Sequence, residues 1–142
     1  MPSGFEFSRD SDLTGFWSGE YWYDSTNSPT PFSAHLEDIS GALIGTTLEP
    51  ATFGAPGLTE LSADIKGGRS GPSLYFTKVY HPARGVHRHP IHYSGLSNDK
   101  FTQIEGDWRM PDGFSGRFVM YRASFGAKAA AVTRKQKITL KR

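Results

Sequence analysis

The segment 103–122 reads QIEGDWRMPDGFSGRFVMYR, in which two alternating runs are separated by Pro-Asp-Gly. From 103 to 110, polar side chains occupy every odd position, and apolar side chains or glycine occupy every even position. From 114 to 120, the even positions are again apolar or glycine. This period of two predicts β-strands with one face in water and the other in a core.

Similar runs fill the rest of the chain between short stretches rich in Gly, Pro, Ser and Asn. The predicted strands are 15–24, 32–39, 42–49, 58–66, 73–80, 91–97, 101–110 and 114–122. Eight strands with short links predict an all-β fold, an eight-stranded antiparallel up-and-down β-barrel, because closure removes exposed sheet edges. A β-sandwich is the structural alternative. Glycines inside the runs fit the bends of a barrel: Gly19, Gly45, Gly95, Gly106 and Gly116.

The 142 residues are long enough for one domain with its own core, and no cysteine is present to staple it. The predicted barrel domain is 13–122, with a flexible N-terminus at 1–12 and a basic C-terminal extension at 123–142. The extension has six Lys or Arg and no acidic residue, whereas the rest has ten basic and fourteen acidic residues. Without a predicted signal peptide or membrane span, we expect a cytoplasmic protein that binds neither membrane nor nucleic acid.

The links between the predicted strands alternate in length. Short links at 40–41, 67–72 and 98–100 share one end of an up-and-down barrel, and we call this the closed end. Longer links share the other, open end, and they comprise 25–31, 50–57 and 81–90. Because binding residues concentrate on loops held by a rigid frame, we expect a ligand to enter at the open end.

A family resemblance rests on Gly15-Phe16-Trp17 near the start and Arg122 near the end of the predicted barrel. This pair resembles the calycin (lipocalin-like) pattern, in which an arginine covers a tryptophan at the closed end. The segments 13–17, 41–46 and 104–108 resemble the avidin and streptavidin branch. The resemblance implies an eight-stranded barrel with an interior pocket for a small ligand.

The chain departs from the avidin pattern where biotin would bind. Gly19 and Tyr23 lie near the positions of that family's ureido-binding Asn and Ser, and its late aspartate has no counterpart. Trp108 is the ligand-wall tryptophan that the resemblance carries over. We therefore expect a ligand other than biotin.

Inward-facing side chains near the open end form the predicted ligand-binding set. They are Tyr21, Tyr23, Lys78, Tyr80, Tyr93 and Trp108. Tyrosines combine an apolar ring with a hydroxyl, which suits a pocket that binds and orients a small apolar or aromatic molecule. We expect a binding protein without a cofactor or catalytic residues. The alternatives are a β-barrel isomerase or cyclase that uses Lys78 and a tyrosine, and a structural barrel with a solid core.

Lys78 has inward parity, yet we expect its ammonium to extend past the strand end into solvent. The alternative is a buried lysine with a lowered pKa, acting as a base or an anion anchor. His81, His87, His89 and His92 cluster in and after the 81–90 link. No carboxylate is interleaved with them, so we expect a pH-sensitive or solvated rim and no metal.

Outward positions on the first and last strands break the polar pattern. Phe16, Trp22, Val119 and Tyr121 should form one apolar patch, while Tyr75 and Val79 lie elsewhere on the wall. An exposed patch of this kind predicts an interaction site. We expect a homodimer, with coverage by Phe125, Ile138 and Leu140 of the extension as the alternative.

Overall fold

The computed structural model describes residues 12–123, so most of the predicted N-terminus and of the C-terminal extension lies outside the described residues. Eight strands follow one another: β1 (Gly15–Tyr23), β2 (Thr30–Ile39), β3 (Ala42–Pro50), β4 (Glu60–Ser70), β5 (Ser73–Tyr80), β6 (Ile91–Ser97), β7 (Gln103–Arg109) and β8 (Ser115–Arg122). Each strand pairs with the next in antiparallel fashion, and β8 pairs with β1 to close the barrel. The predicted fold is confirmed. In this part of the chain, no helix has the length and apolar character to cross a membrane.

The core lies inside the barrel, on the inward face that alternation predicted. Trp108 is buried on β7, while its neighbours Asp107 and Arg109 are exposed. Large side chains from every strand contribute to this interior. The buried apolar residues on the strands are Trp17, Tyr21, Phe32, Ala34, Leu36, Leu43, Leu61, Ala63, Ile65, Leu74, Phe76, Tyr80, Ile91, Tyr93, Ile104, Trp108, Phe118 and Met120.

The β4 strand is longer than the sequence predicted at the closed end. The prediction placed a link at 67–72, but β4 extends to Ser70 and only Gly71 and Pro72 connect it to β5. At Gly67 a Cβ atom would lie 1.9 Å from the carbonyl oxygen of Tyr75, so glycine allows the β5 backbone to approach. The glycines therefore mark close strand contact here, where the prediction took them for turn residues.

The closed end is sealed by Trp17 and Arg122, as predicted. Trp17 is 1% exposed, and the Arg122 guanidinium lies 4.7 Å from the centroid of its ring. The indole Nε1 donates a 3.0 Å hydrogen bond to the carbonyl of Leu13. Arg122 also donates to the backbone carbonyls of Phe101 and Thr14, which ties three chain segments together.

A buried carboxylate, Asp38, adds a second fastening at the closed end. It accepts hydrogen bonds from the backbone amides of Leu13 and Gly41, at 3.0 and 2.9 Å, and forms an ion pair with Arg69 at 2.5 Å. Burial raises the pKa of Asp38, but these donors outweigh burial and hold it below the usual value. The carboxylate therefore stays ionised and joins the start of the barrel to its β2–β3 turn.

The outward residues of β1 and β8 that were predicted to form an apolar patch lie beside polar side chains. Phe16 and Tyr121 are 38% and 51% exposed, whereas Trp22 and Val119 are half-buried. Ser18 lies opposite Tyr121, and a glutamate lies opposite Val119 in the pairing of the two strands. Ser18 and this glutamate both lie on β1, while Val119 and Tyr121 are successive outward residues on β8, and the single apolar patch remains a prediction. The tail residues proposed to cover it lie outside the described residues.

Candidate functional site

Two of the long links meet over the open end of the barrel. The β3–β4 link places Phe53 over the mouth, and the β5–β6 link places His87 beside it, with ring centroids 5.5 Å apart. Both rings also pack against Tyr80, at 5.3 and 5.4 Å. A backbone hydrogen bond from Ala55 to the carbonyl of Arg84 joins the two links. We call Phe53 and His87 the cover.

A small cavity lies beneath the cover, and we call it the mouth cavity. It is lined by Tyr21, Tyr23, Phe53, Tyr80, His87, Ile91, Tyr93, Trp108 and Met110. Its volume is about 10 Å³, measured for the centre of a water molecule, which is room for about one water. Five of the six predicted site residues therefore come together here, and the sixth, Lys78, lies below them.

Trp108 forms one wall of the mouth cavity. Its ring is nearly perpendicular to those of Tyr23 and Tyr21, at 87° in both cases, with centroids 4.8 and 6.1 Å away. Gly116 lies opposite on β8, and a Cβ there would come within 2.6 Å of the indole. The Trp108 Nε1 donates to the carbonyl of Trp22 at 3.2 Å. Glycine on one strand thus makes space for tryptophan on the next.

A buried ion pair lies directly below the mouth cavity. Lys78 Nζ is 2.6 Å from Oε1 of Glu49, and the two side chains are 2% and 0% exposed. The expectation that Lys78 extends into solvent is therefore wrong. Tyr80 follows it as a further inward residue on β5, and the cover closes the end above Tyr80. Lys78 lies one layer too deep for its ammonium to reach water.

Glu49 is the functional candidate that sequence reasoning missed. Its carboxylate accepts hydrogen bonds from Lys78, from the hydroxyl of Tyr21 at 2.5 Å and from that of Tyr80 at 3.0 Å. Because every one of these groups donates, Glu49 is bound as a carboxylate. The sequence did contain a signal for a buried Glu49. It has the same inward parity on β3 as Leu43 and Thr47, and all three side chains are buried.

Aromatic rings surround the Lys78 ammonium. Its Nζ lies 4.8 Å from the ring centroid of Tyr80, 4.9 Å from Tyr21, 5.8 Å from Phe32 and 5.9 Å from Tyr93. Ring faces attract cations, so these contacts complement the ion pair. Burial lowers the pKa of Lys78, and the Glu49 charge opposes this shift. We therefore interpret the interior as a cation held between a carboxylate and rings.

The tyrosine hydroxyls around Glu49 remain protonated. Burial raises the pKa of both Tyr21 and Tyr80, and the neighbouring Glu49 charge raises it further. Burial also raises the pKa of Tyr93 and, less strongly, that of Tyr23 at the mouth. The phenols can therefore serve as hydrogen-bond donors but not as bases in the ordinary pH range.

The predicted histidine cluster divides between two places. His87 lines the mouth cavity and stacks on His89, with centroids 5.5 Å apart. His81 lies on the outer wall, where its Nδ1 is 2.8 Å from the hydroxyl of Ser62 and its Nε2 is 2.8 Å from the carboxylate of Asp64. Across residues 12–123, no group of three or more His, Asp or Glu side chains has the arrangement of a metal site.

His87 has an unsatisfied polar atom. Its Nδ1 is buried and has no hydrogen-bond partner among the residues that the structure describes. Burial lowers the pKa of His87, and the neighbouring His89 lowers it further. The imidazole is therefore neutral at pH 7, and its buried nitrogen offers a free hydrogen-bonding position beside the cavity.

Comparisons with known proteins support the fold alone. No family model and no curated protein matches this sequence significantly. A solved structure described as a redesigned β-barrel superposes with a TM-score of 0.66 at 13% sequence identity. The match covers 79% of this chain and 92% of the redesigned barrel. At this identity, the similarity concerns architecture and not ligand or activity.

Proposed function

We propose that this protein binds a small apolar or aromatic molecule in the barrel mouth, between Trp108 and the cover. The main support for this proposal is a cavity that is lined by aromatic side chains at the end of the barrel where the long links meet. Aromatic walls with few polar groups are typical of small-molecule sites. The room for about one water means that a ligand must displace the cover, which rests on loops rather than strands.

The buried ion pair below the cavity supports this proposal. Replacing a buried ion pair by apolar side chains of similar size is often neutral or stabilising, so filling the barrel does not require Glu49 and Lys78. Glu49 accepts hydrogen bonds from Tyr21 and Tyr80, which hold two rings of the cavity wall in fixed positions, and Lys78 holds Glu49 in place. A preorganised wall reduces the entropy lost when a ligand binds.

We also propose an avidin-like origin within the calycins for this barrel, supported by the contact of Arg122 with Trp17. Biotin is not the proposed ligand. A Cβ at Gly19 would lie 2.6 Å from the ring of Phe32, so this position offers no polar side chain to a ureido group and no room for one.

Thermal shift against small apolar and aromatic compounds, followed by calorimetry, tests the binding proposal. A ligand that binds the native state raises the melting temperature in proportion to the logarithm of its concentration over Kd. Trp108→Leu should weaken binding at least ten-fold, whereas Leu96→Ala on the outer wall, where the side chain is 60% exposed, should leave it unchanged. Equal binding by both variants would place the ligand elsewhere.

The second candidate is a barrel isomerase or cyclase acting on a hydrophobic substrate. One observation favours it, because Lys78, Tyr21 and Tyr80 converge on Glu49 beneath an apolar cavity. Such groups could donate or accept protons during a rearrangement. Binding is the better-supported proposal, because each of these donors already has a partner. Chromatography of a bound compound after long incubation, with Lys78→Met as control, distinguishes turnover from binding.

A further inference from the structure

We propose that the mouth cavity recognises an alkylated ammonium head group, such as the trimethylammonium of a choline-type molecule. This inference rests on the proposed binding of a small molecule in the barrel mouth, and it assigns that molecule a charged, methylated head group in place of a purely apolar or aromatic one. Aromatic rings that meet at right angles build a box around a compact cation, and quaternary ammonium ions are the ligands that such boxes bind.

Rings that line the mouth cavity stand perpendicular to one another around Trp108. Tyr23 and Tyr21 each stand at 87° to Trp108, and none of these three rings belongs to the cover that a ligand must displace. A flat aromatic ligand would be served best by two parallel walls, because stacked rings prefer offset parallel faces. Perpendicular walls instead surround a rounded group from several sides. The observed geometry therefore favours a compact ammonium over a fused ring system.

The interior of the same barrel already holds an ammonium among rings. Three of the rings near Lys78 Nζ, those of Tyr21, Tyr80 and Tyr93, also line the mouth cavity. The Lys78 charge is offset by Glu49 at 2.6 Å, so a second cation above these rings faces a neutral pair. The same three aromatic rings that contact the Lys78 ammonium are thus available to a cation in the mouth cavity above it.

The cover suits replacement by such a head group. The imidazole of His87 packs against both Phe53 and Tyr80, with ring centroids 5.5 and 5.4 Å away. Because its Nδ1 is buried without a partner in the described part of the chain, movement of the ring into water gains a hydrogen bond. The space that His87 vacates would then have aromatic walls on several sides.

The charges around the mouth permit a cation. Asp112, on the β7–β8 link, lies near enough to raise the pKa of both Tyr23 and His87, so its negative charge acts on the cavity. Arg84 and Arg88 are on the same link as His87. His87, whose pKa is lowered by burial, adds positive charge only when it is protonated. Cation binding should therefore be strongest at neutral or higher pH.

The test compares choline with two neutral probes. One is 3,3-dimethylbutan-1-ol, which has the same shape with carbon in place of the charged nitrogen, and the other is indole, a flat aromatic molecule. Isothermal calorimetry of the full chain at fixed ionic strength should give a Kd about ten-fold lower for choline, the ratio expected of a desolvated cation–π site. Tyr23→Phe should keep this preference because the ring remains. Tyr23→Leu should reduce it, and Trp108→Leu should abolish it.

Each outcome is decisive. If the neutral isostere or indole binds as well as choline or better, the ammonium proposal is overturned while the proposed function stands. If none of the three probes binds, both are overturned for ligands of this size. Circular dichroism of Tyr23→Leu and Trp108→Leu checks folding. Should Trp108→Leu fail to fold, the pair of Tyr23 variants still decides whether the ring is required.

Discussion

The two ends of this barrel are closed by different kinds of contact. At the closed end, Arg122 covers Trp17 and donates to backbone carbonyls, while Asp38 accepts two backbone amides and pairs with Arg69. At the open end, Phe53 and His87 cover the mouth mainly through ring contacts. Directional hydrogen bonds fix one end, and less directional packing closes the other.

This difference indicates which end can open. Hydrogen bonds to charged groups contribute roughly 1.5–3 kcal/mol each, and a buried partner left unsatisfied costs more. Aromatic pairs contribute about 0.5–1.5 kcal/mol beyond the area that they bury. The cover can therefore separate from Tyr80 at a modest cost, whereas opening the closed end would break several charged hydrogen bonds at once.

The largest effect is expected at the closed end. Trp17→Ala should lower the free energy of unfolding by about 4–5 kcal/mol, since it leaves a large cavity and removes the ring beneath Arg122. Urea denaturation measures this loss. Trp22→Ala is the matched control, because it changes the same residue type on the outward face of the same strand. Equal losses in the two variants would contradict the assigned seal.

Breaking the buried ion pair should rank next. Lys78→Met should cost about 3–4 kcal/mol, because it leaves the Glu49 carboxylate buried without its cation. The double variant Lys78→Met with Glu49→Gln should recover most of this stability in urea denaturation. If the double variant loses as much as the single one, the cost comes from packing around the substituted side chain and not from an unpaired charge.

The cover should contribute less to the free energy of unfolding than the Trp17 seal or the buried ion pair. Phe53→Ala should lower the free energy of unfolding by about 1–2 kcal/mol, since the half-buried ring loses its contacts with Tyr80 and His87. Amide hydrogen exchange should accelerate at Ala55 more than at Gly41 of the closed end. Unchanged exchange at Ala55 would show that Phe53 does not hold the two links together.

Acid should loosen the two ends in sequence. The pKa of His87 is lowered by burial, so the unfolded or open form binds protons more readily, and stability declines as pH falls below the unfolded value near 6.5. The pKa of Asp38 is also below its usual 3.8, so its contribution persists until pH falls through that region. As the pH is lowered, protection from hydrogen exchange, relative to the unfolded chain at the same pH, should therefore be lost at Ala55 before it is lost at Leu13. The reverse order would refute the assignment.

The smallest effect on stability is expected for an exposed side chain on the outer wall. Tyr121→Ser removes a side chain that is 51% exposed, so the free energy of unfolding should change by less than about 0.5 kcal/mol. The homodimer expected from the sequence remains a prediction, and Tyr121→Ser should weaken it. Light scattering over a series of protein concentrations measures the molar mass and therefore the oligomeric state. A wild-type monomer at all concentrations would rule out the expected dimer.

The candidate site could be predicted only in part. Inward parity identified five of the seven aromatic residues that line the mouth cavity, because a period of two assigns each strand side chain to a face. The partner of Lys78 was not predicted, since Glu49 lies 29 positions earlier and meets it only across the barrel interior. Phe53 and His87 were also not paired, because alternation says nothing about how two irregular links pack.

What the sequence determined by itself was the number of strands, their inward and outward faces, and the positions of the links between them. These features follow from local rules, namely alternation and turn residues. The tertiary structure alone decided that Lys78 is buried, that Glu49 neutralises it and that the cover leaves room for about one water. Those outcomes depend on register around a closed barrel and on loop packing, which join residues far apart in the chain.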